Sequence, residues 1–80
     1  MQTQNAIKKL EKLGFVRMDG ECKFSFTKPN LKDCIEFYDQ EGRAICIRVR
    51  RKSDHSDPMT DYGAAIFVNG NLTRALRLCN

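Results

Sequence analysis

The sequence contains few of the residues from which catalytic and metal sites are usually built. It has one histidine, His55, and no two of its four cysteines form a Cys-x-x-Cys pair. Zinc sites need clustered cysteine and histidine ligands, so no zinc site is predicted. The acidic residues around His55, which are Asp54, Asp57 and Asp61, do not stand at the alternate positions that supply the oxygen ligands of a calcium loop. We therefore expect no metal, no cofactor and no enzymatic activity.

Long apolar runs are also missing. No stretch approaches the roughly 18 consecutive apolar residues of a membrane span. The opening Met-Gln-Thr-Gln-Asn lacks the apolar core of a signal peptide. These features predict a cytoplasmic protein without a membrane partner, in which the cysteines stay reduced; in a secreted protein they could pair in several ways. The 80 residues suit a single domain, 1–80.

Two segments show the apolar spacing of amphipathic helices. The apolar positions of the first are Ile7, Leu10 and Leu13, and those of the second are Leu72, Ala75, Leu76 and Cys79. We predict a first helix over residues 3–13, ended by Gly14, and a short C-terminal helix capped by Asn71.

Between these helices, short segments alternate in polarity as strands do. The predicted strands are Phe15–Met18, Cys22–Thr27, Asp33–Asp39, Arg43–Arg51 and Ala64–Val68. Asp19-Gly20 is a strong signal for a two-residue hairpin, and a second hairpin is expected at residues 40–42. Residues 52–63 have no apolar period, which predicts a long loop.

The predicted fold is α+β, in the order α-β-β-β-β-β-α, with an antiparallel sheet and both helices on one face. The sheet face expected beneath the helices comprises Phe24, Phe26, Ile35, Phe37, Ile45, Ile47, Val49, Ile66 and Val68. Cys22 and Cys79 are also expected in the core. The opposite face is expected to stay open to solvent or to a partner, and it carries Ser25, Thr27, Cys34, Glu36, Tyr38, Cys46, Arg48 and Arg50.

Positive charge is concentrated in the fourth predicted strand. The chain has 14 lysines and arginines against 10 acidic residues, a formal net charge of +4. The basic residues of this region are Arg43, Arg48, Arg50, Arg51 and Lys52. Arginines on an exposed face can hold phosphates through paired contacts, while Tyr38 stacks on a base. The alternative is a solvated face on which Glu36 neutralises Arg48 across neighbouring strands.

An acidic loop follows the basic strand. Its carboxylates can dock onto a basic surface of a protein partner, or they can simply keep the loop hydrated. The predicted partner-binding residues are accordingly Tyr38, Arg43, Arg48, Arg50, Arg51, Asp54, Asp57 and Asp61.

The segment from Ala6 to Phe15, followed by a glycine-containing turn and an antiparallel meander, resembles the start of HicA-type toxins. These are small ribonucleases with a double-stranded-RNA-binding-like fold. The resemblance covers the first third of the chain. The family's catalytic histidine follows the first turn, where this chain has Gly20–Lys23 instead, so the resemblance does not extend to ribonuclease activity.

A short chain with segregated charge and no catalytic motif is similar in format to phage and mobile-element proteins that inhibit bacterial defence, including anti-CRISPR proteins. The format implies a binding protein whose partner is a protein or ribonucleoprotein complex. Our first hypothesis is therefore an inhibitor of a nucleic-acid-processing complex. The second is direct RNA or DNA binding through residues 43–52, and the third is a degenerate ribonuclease that depends on His55. The open face would also allow a homodimer.

Overall fold

A computed structural model shows a helix, an antiparallel sheet and a C-terminal helix. The structure describes residues 1–20, 22–51, 66–67 and 71–80. Its elements are α1 (Thr3–Lys12), β1 (Val16–Arg17), β2 (Phe24–Thr27), β3 (Asp33–Gln40), β4 (Arg43–Arg51), β5 (Ile66–Phe67) and α2 (Leu72–Leu78). The predicted α+β class is confirmed. Neither helix of the described chain is long and apolar enough to cross a membrane.

The body of the sheet is a four-stranded antiparallel meander, β1 to β4. The order across the sheet is β1-β2-β3-β4-β5, and the described residues of β5 form two pairs at the edge of β4. The fold is thus a helix, a four-stranded sheet and a helix with a two-residue addition, rather than five full strands; of the predicted strand over residues 64–68, only Ile66 and Phe67 are among the described residues. The predicted loop over residues 52–63 lies outside the described residues.

Helix α1 ends where the sequence predicts. Gly14 has a φ of 91°, a conformation that glycine adopts without steric cost. The amide of Gly14 donates to the carbonyl of Glu11, and that of Phe15 donates to the carbonyl of Leu10, both at 3.0 Å. These two bonds form a Schellman motif, which places Phe15 beside Leu10 in the core.

The start of helix α2 also follows the prediction. The side-chain oxygen of Asn71 accepts a hydrogen bond of 3.0 Å from the amide of Arg74. Asparagine at this position satisfies one of the amides that the first helical turn leaves without a partner.

One hydrophobic cluster joins both helices to one face of the sheet. Its buried members are Ala6, Leu10, Phe15, Phe26, Ile35, Phe37, Ala44, Ile47, Val49, Leu72 and Ala75. The rings of Phe24 and Phe26 each stack on Phe37, with centroids 5.4 and 6.1 Å apart. Burial of this apolar surface supplies the main driving force for folding.

Strand β4 departs from the strict alternation that the sequence predicts. The pairing of β3 with β4 shifts by one residue between Glu36 and Tyr38. Cys46 has a φ of 53° and lies in the stretch of β4 that carries the extra residue of this bulge. Because the bulge reverses the side-chain direction, Ala44 joins the core and Ile45 does not. The prediction that Ile45 shares the apolar face is wrong.

The first hairpin also differs from the prediction. The amide of Met18 donates to the carbonyl of Ser25 at 2.9 Å, so residues 19–24 connect the paired positions. The expected two-residue turn at Asp19-Gly20 is wrong. Gly20 instead packs flat on the sheet, where a Cβ atom would lie only 2.8 Å from Cβ of Ser25.

Candidate functional site

The sheet face opposite the helices is not open in the part of the chain that the structure describes. Ser25, Cys34, Glu36 and Arg50 are each at most 2% exposed. The turn that contains Gly20 covers Ser25 and Glu36. The prediction of an open face is therefore wrong at these positions.

Glu36 is the centre of a buried charge cluster on that face. Its Oε1 accepts a hydrogen bond from Nε of Arg50 and lies 3.9 Å from Nε of Arg48. Its Oε2 accepts hydrogen bonds from the Ser25 hydroxyl at 2.8 Å and the Cys22 amide at 3.3 Å. Burial alone would raise the pKa of Glu36, but hydrogen bonds from Arg50 and Ser25 hold it below its ordinary value. The expected pairing of Glu36 with Arg48 is present, and Arg50 belongs to the same cluster.

The other two arginines of the predicted site lie at opposite ends of β4. Arg43 is exposed beside the hairpin, while Arg51 is exposed with its Nε 3.6 Å from Oδ1 of Asp33. Eight residue steps of a strand separate them by about 26 Å. Tyr38 is 40% exposed. The basic residues of β4 thus do not form one continuous exposed patch.

The predicted acidic residues of the site, Asp54, Asp57 and Asp61, lie outside the described residues, as does His55.

The four cysteines are all free thiols. Burial raises the pKa of Cys34 to about 12 and also raises that of Cys22, so both stay protonated and are poor nucleophiles. Cys46 is exposed and Cys79 is half-buried. Cys34, which we predicted on an open face, is buried in the structure. The described residues contain no group of three potential metal ligands.

Five of the ten exposed basic residues in the described part of the chain lie on the two helices. We define the helical basic surface as Lys8, Lys9, Lys12, Arg74 and Arg77, all of which are exposed. Ala6 and Leu10 occupy the buried side of α1, which leaves Lys8 and Lys12 one turn apart on the outer side. Nζ of Lys9 donates to the hydroxyl of Thr73 at 3.5 Å, which brings the first turn of α2 next to α1.

This surface has little negative charge to balance it. Within the ranges of α1 and α2 there are five basic residues and one acidic residue, Glu11. In the described part of the chain, no ion pair joins any of the five cations to a carboxylate. Their charges therefore remain available to an anionic partner.

The helical periods in the sequence already place these five side chains on outward faces. The topology that brings the two helices together is a tertiary property, and without it the five residues look like two separate solvated faces. The sequence therefore gave no reason to group them.

A second basic site lies at the turn between β1 and β2. Cζ of Arg17 lies 4.9 Å and Nζ of Lys23 lies 5.6 Å from the centre of the Phe24 ring. Beside them is a cavity of about 340 Å³, which we call the turn cavity, lined by Arg17, Met18, Asp19, Gly20, Cys22 and Lys23. Nothing in the sequence pattern predicts this site, because Arg17 and Lys23 meet only through the longer hairpin.

Comparison of the chain with protein-family models, curated proteins and solved structures finds no match.

Proposed function

We propose that the protein binds nucleic acid through the helical basic surface. The observation that supports this function is the cluster of five exposed cations on two adjacent helices, with Glu11 as the single carboxylate within their ranges. Lysine and arginine bind the phosphates of nucleic acids and release condensed counterions, which supplies most of the affinity of sequence-independent binding.

The composition of the surface favours nucleic acid over protein. Lysine is depleted in protein interfaces because its hydrated ammonium group is costly to bury, whereas three of the five cations here are lysines. Lys8 and Lys12 project from the same side of α1 and can follow a phosphate backbone. Because such contacts are made to phosphates rather than to bases, the affinity should depend little on the nucleotide sequence of the nucleic acid.

The charge count gives a quantitative expectation. If all five cations contact phosphates of duplex DNA, the logarithm of the binding constant should fall with the logarithm of the salt concentration with a slope of about −4 to −5. Loss of two of these contacts should reduce the steepness of the slope by about two.

Paired charge-removal variants test which surface binds. The variant with Lys8→Gln and Arg74→Gln should bind a fluorescent duplex about tenfold or more weakly than the parent, with a shallower salt slope. The matched control, Arg43→Gln with Arg51→Gln, removes the same net charge from β4 and should retain the parent slope. Anisotropy titrations at several salt concentrations measure both quantities.

Two outcomes would contradict the proposal. Equal effects in the two variants would indicate a response to net charge alone. A larger effect in the control would favour the alternative that β4 binds the nucleic acid.

Inhibition of a nucleic-acid-processing complex stays a separate proposal. Exposed Tyr38 and Arg43 support it within the described residues, and it also needs the acidic loop. Co-purification with a ribonucleoprotein that survives nuclease treatment would support it, whereas recovery of nucleic acid alone would count against it. The degenerate ribonuclease hypothesis predicts RNA cleavage that His55→Ala abolishes.

A further inference from the structure

We propose that a cavity between the C-terminal turns of α1 and α2 binds an unpaired nucleobase. The inference rests on the proposed function and deepens it, because it names the substrate class: a nucleic acid that carries at least one base outside a base pair. In this arrangement the helical basic surface holds the phosphates and the cavity holds the base.

The cavity, which we call the helix-end cavity, has a volume of about 320 Å³. This volume lies near the lower end of the range for small-ligand pockets and suits a ligand as small as one base. The apolar part of its lining comprises Leu13, Phe15, Leu31 and Leu76, and the polar part includes Lys28 and Asn30. None of the lining residues that the structure describes is acidic.

The two helices lead from the helical basic surface to this cavity. The hydrogen bond of 3.5 Å from Lys9 to Thr73 joins α1 to α2. Leu13 lies one turn beyond Lys9, Leu76 lies one turn beyond Thr73, and both leucines line the cavity. Arg77 directly follows Leu76 and is exposed. A strand whose phosphates contact Lys9 and Arg77 therefore passes beside the helix-end cavity.

The apolar lining suits the two faces of a base. Leu13 is 45% exposed, and Leu31 and Leu76 are half-buried, so these side chains still have apolar surface that a flat ligand can cover. Phe15 belongs to the hydrophobic core and closes the cavity on that side. A base that leaves its stack loses contacts with its neighbours, and apolar side chains replace those contacts.

The polar lining suits the edge of a base. Asn30 is exposed, and its amide both donates and accepts hydrogen bonds, as base edges do. Nζ of Lys28 lies 4.9 Å from the centre of the Phe15 ring, which holds the ammonium group beside the cavity by a cation–π contact. The N–H groups of an ammonium are donors suited to the carbonyl oxygens and ring nitrogens of a base.

The charges around the cavity favour a neutral ligand over a phosphate. Leu13 and Cys79 are the C-cap residues of the two helices, so the negative ends of both helix dipoles lie at the cavity. Each end carries up to about half an elementary charge, and together they offset the positive charge of Lys28. A nucleobase is neutral, whereas the phosphates are attracted to the exposed cations of the helical basic surface.

Two DNA duplexes that differ in one base test the inference. Each contains a single bulged nucleotide, which carries adenine in one duplex and is abasic in the other, so the phosphates and the backbone are the same. The parent protein should bind the duplex with the bulged adenine about five- to tenfold more tightly, because contacts between a base and side chains add affinity. Anisotropy titrations measure this ratio of dissociation constants, which we call the base preference.

Matched leucine variants test whether the base lies in the helix-end cavity. Leu13→Ala shortens an exposed leucine of the lining, whereas Leu78→Ala shortens an exposed leucine outside the described lining. Leu13→Ala and Asn30→Ala should each reduce the base preference at least about twofold, and Leu78→Ala should leave it unchanged. The variant with Lys8→Gln and Arg74→Gln should weaken binding of both duplexes equally and so retain the base preference.

Chemical-shift mapping gives a readout that does not depend on the variants. In spectra of the ¹⁵N-labelled full chain, the shifts caused by the two duplexes should differ at residues 13–15, 30–31 and 76–79 and agree elsewhere. Equal affinity for the two duplexes, or equal effects of Leu13→Ala and Leu78→Ala on the base preference, would overturn the inference and leave nucleic-acid binding intact. Failure to bind either duplex would overturn the proposed function and this inference with it.

Discussion

Glu36 stays ionised in the interior because its neighbours compensate for lost hydration. Arg50 and Arg48 supply positive charge, and the Ser25 hydroxyl and the Cys22 amide satisfy the second oxygen. A buried pair of this kind adds little net stability over an apolar pair, but loss of one member leaves the other charge buried without compensation. Each charged member of the cluster therefore depends on the others to remain buried.

Glu36→Gln should lower the free energy of unfolding at pH 7 by about 3 kcal/mol, because Arg50 then lacks its carboxylate partner. Urea denaturation measures the change. The matched control is Glu11→Gln, which alters an exposed carboxylate and should change stability by about 0.5 kcal/mol or less. Equal losses in the two variants would contradict a central role for Glu36.

The same residue makes stability depend on acidity. Since the pKa of Glu36 in the folded state is below its ordinary value, its contribution is fully present above about pH 4.3, the usual glutamate value. The contribution is lost as the pH falls through the lower pKa of the folded state. As the pH falls from about 6 to about 2, the urea midpoint of the parent should decrease more steeply than that of Glu36→Gln. Parallel curves would rule out this linkage.

The pairing of Glu36 with Arg48 could be predicted from the sequence, since both residues fall on the same face of neighbouring strands. The burial of Arg50 could not be predicted from the sequence. Polar alternation shows that a face differs from the core, but it does not show whether the polar groups meet water or one another. For the same reason the alternation predicted Cys34 on an open face, whereas the structure buries it.

At the scale of elements, the helix ends were predictable and the strand irregularity was not. Gly14 and Asn71 end and begin helices through specific backbone chemistry that few other residues provide. The bulge in β4 leaves no such sign, because residues 44–47 are all apolar and an extra residue among them creates no polar mismatch. Uninterrupted alternation was therefore the simpler interpretation.

The bulge makes a prediction for Cys46, whose φ of 53° is unfavourable for residues with a Cβ atom. Cys46→Val should lower the free energy of unfolding by about 1 to 2 kcal/mol, since branching at Cβ worsens the strain. Cys46→Gly should leave it unchanged or raise it by up to about 1 kcal/mol. Because Cys46 is exposed, neither change removes core packing. Urea midpoints in the opposite order would indicate that the strand runs straight through this residue.

At the scale of the whole molecule, the structure divides the basic residues by role. Arg48 and Arg50 balance an internal carboxylate, and Arg51 pairs with Asp33. The lysines and arginines of the two helices lie outside such pairs in the described chain. The sequence shows the net charge of +4 but not this division, which depends on how the strands and helices come together. The cluster of arginines in β4 is the strongest charge signal in the sequence, yet two of its members, Arg48 and Arg50, form ion pairs with the buried Glu36.

Chemical-shift mapping with a short nucleic-acid duplex tests the helical basic surface most directly. In a spectrum of the ¹⁵N-labelled protein, added duplex should shift amides within Thr3–Lys12 and Leu72–Leu78, with little change along β4. The shifts should reverse on addition of salt. Shifts confined to Arg43–Arg51, or none at duplex concentrations that saturate other basic domains, would contradict nucleic-acid binding by the helices.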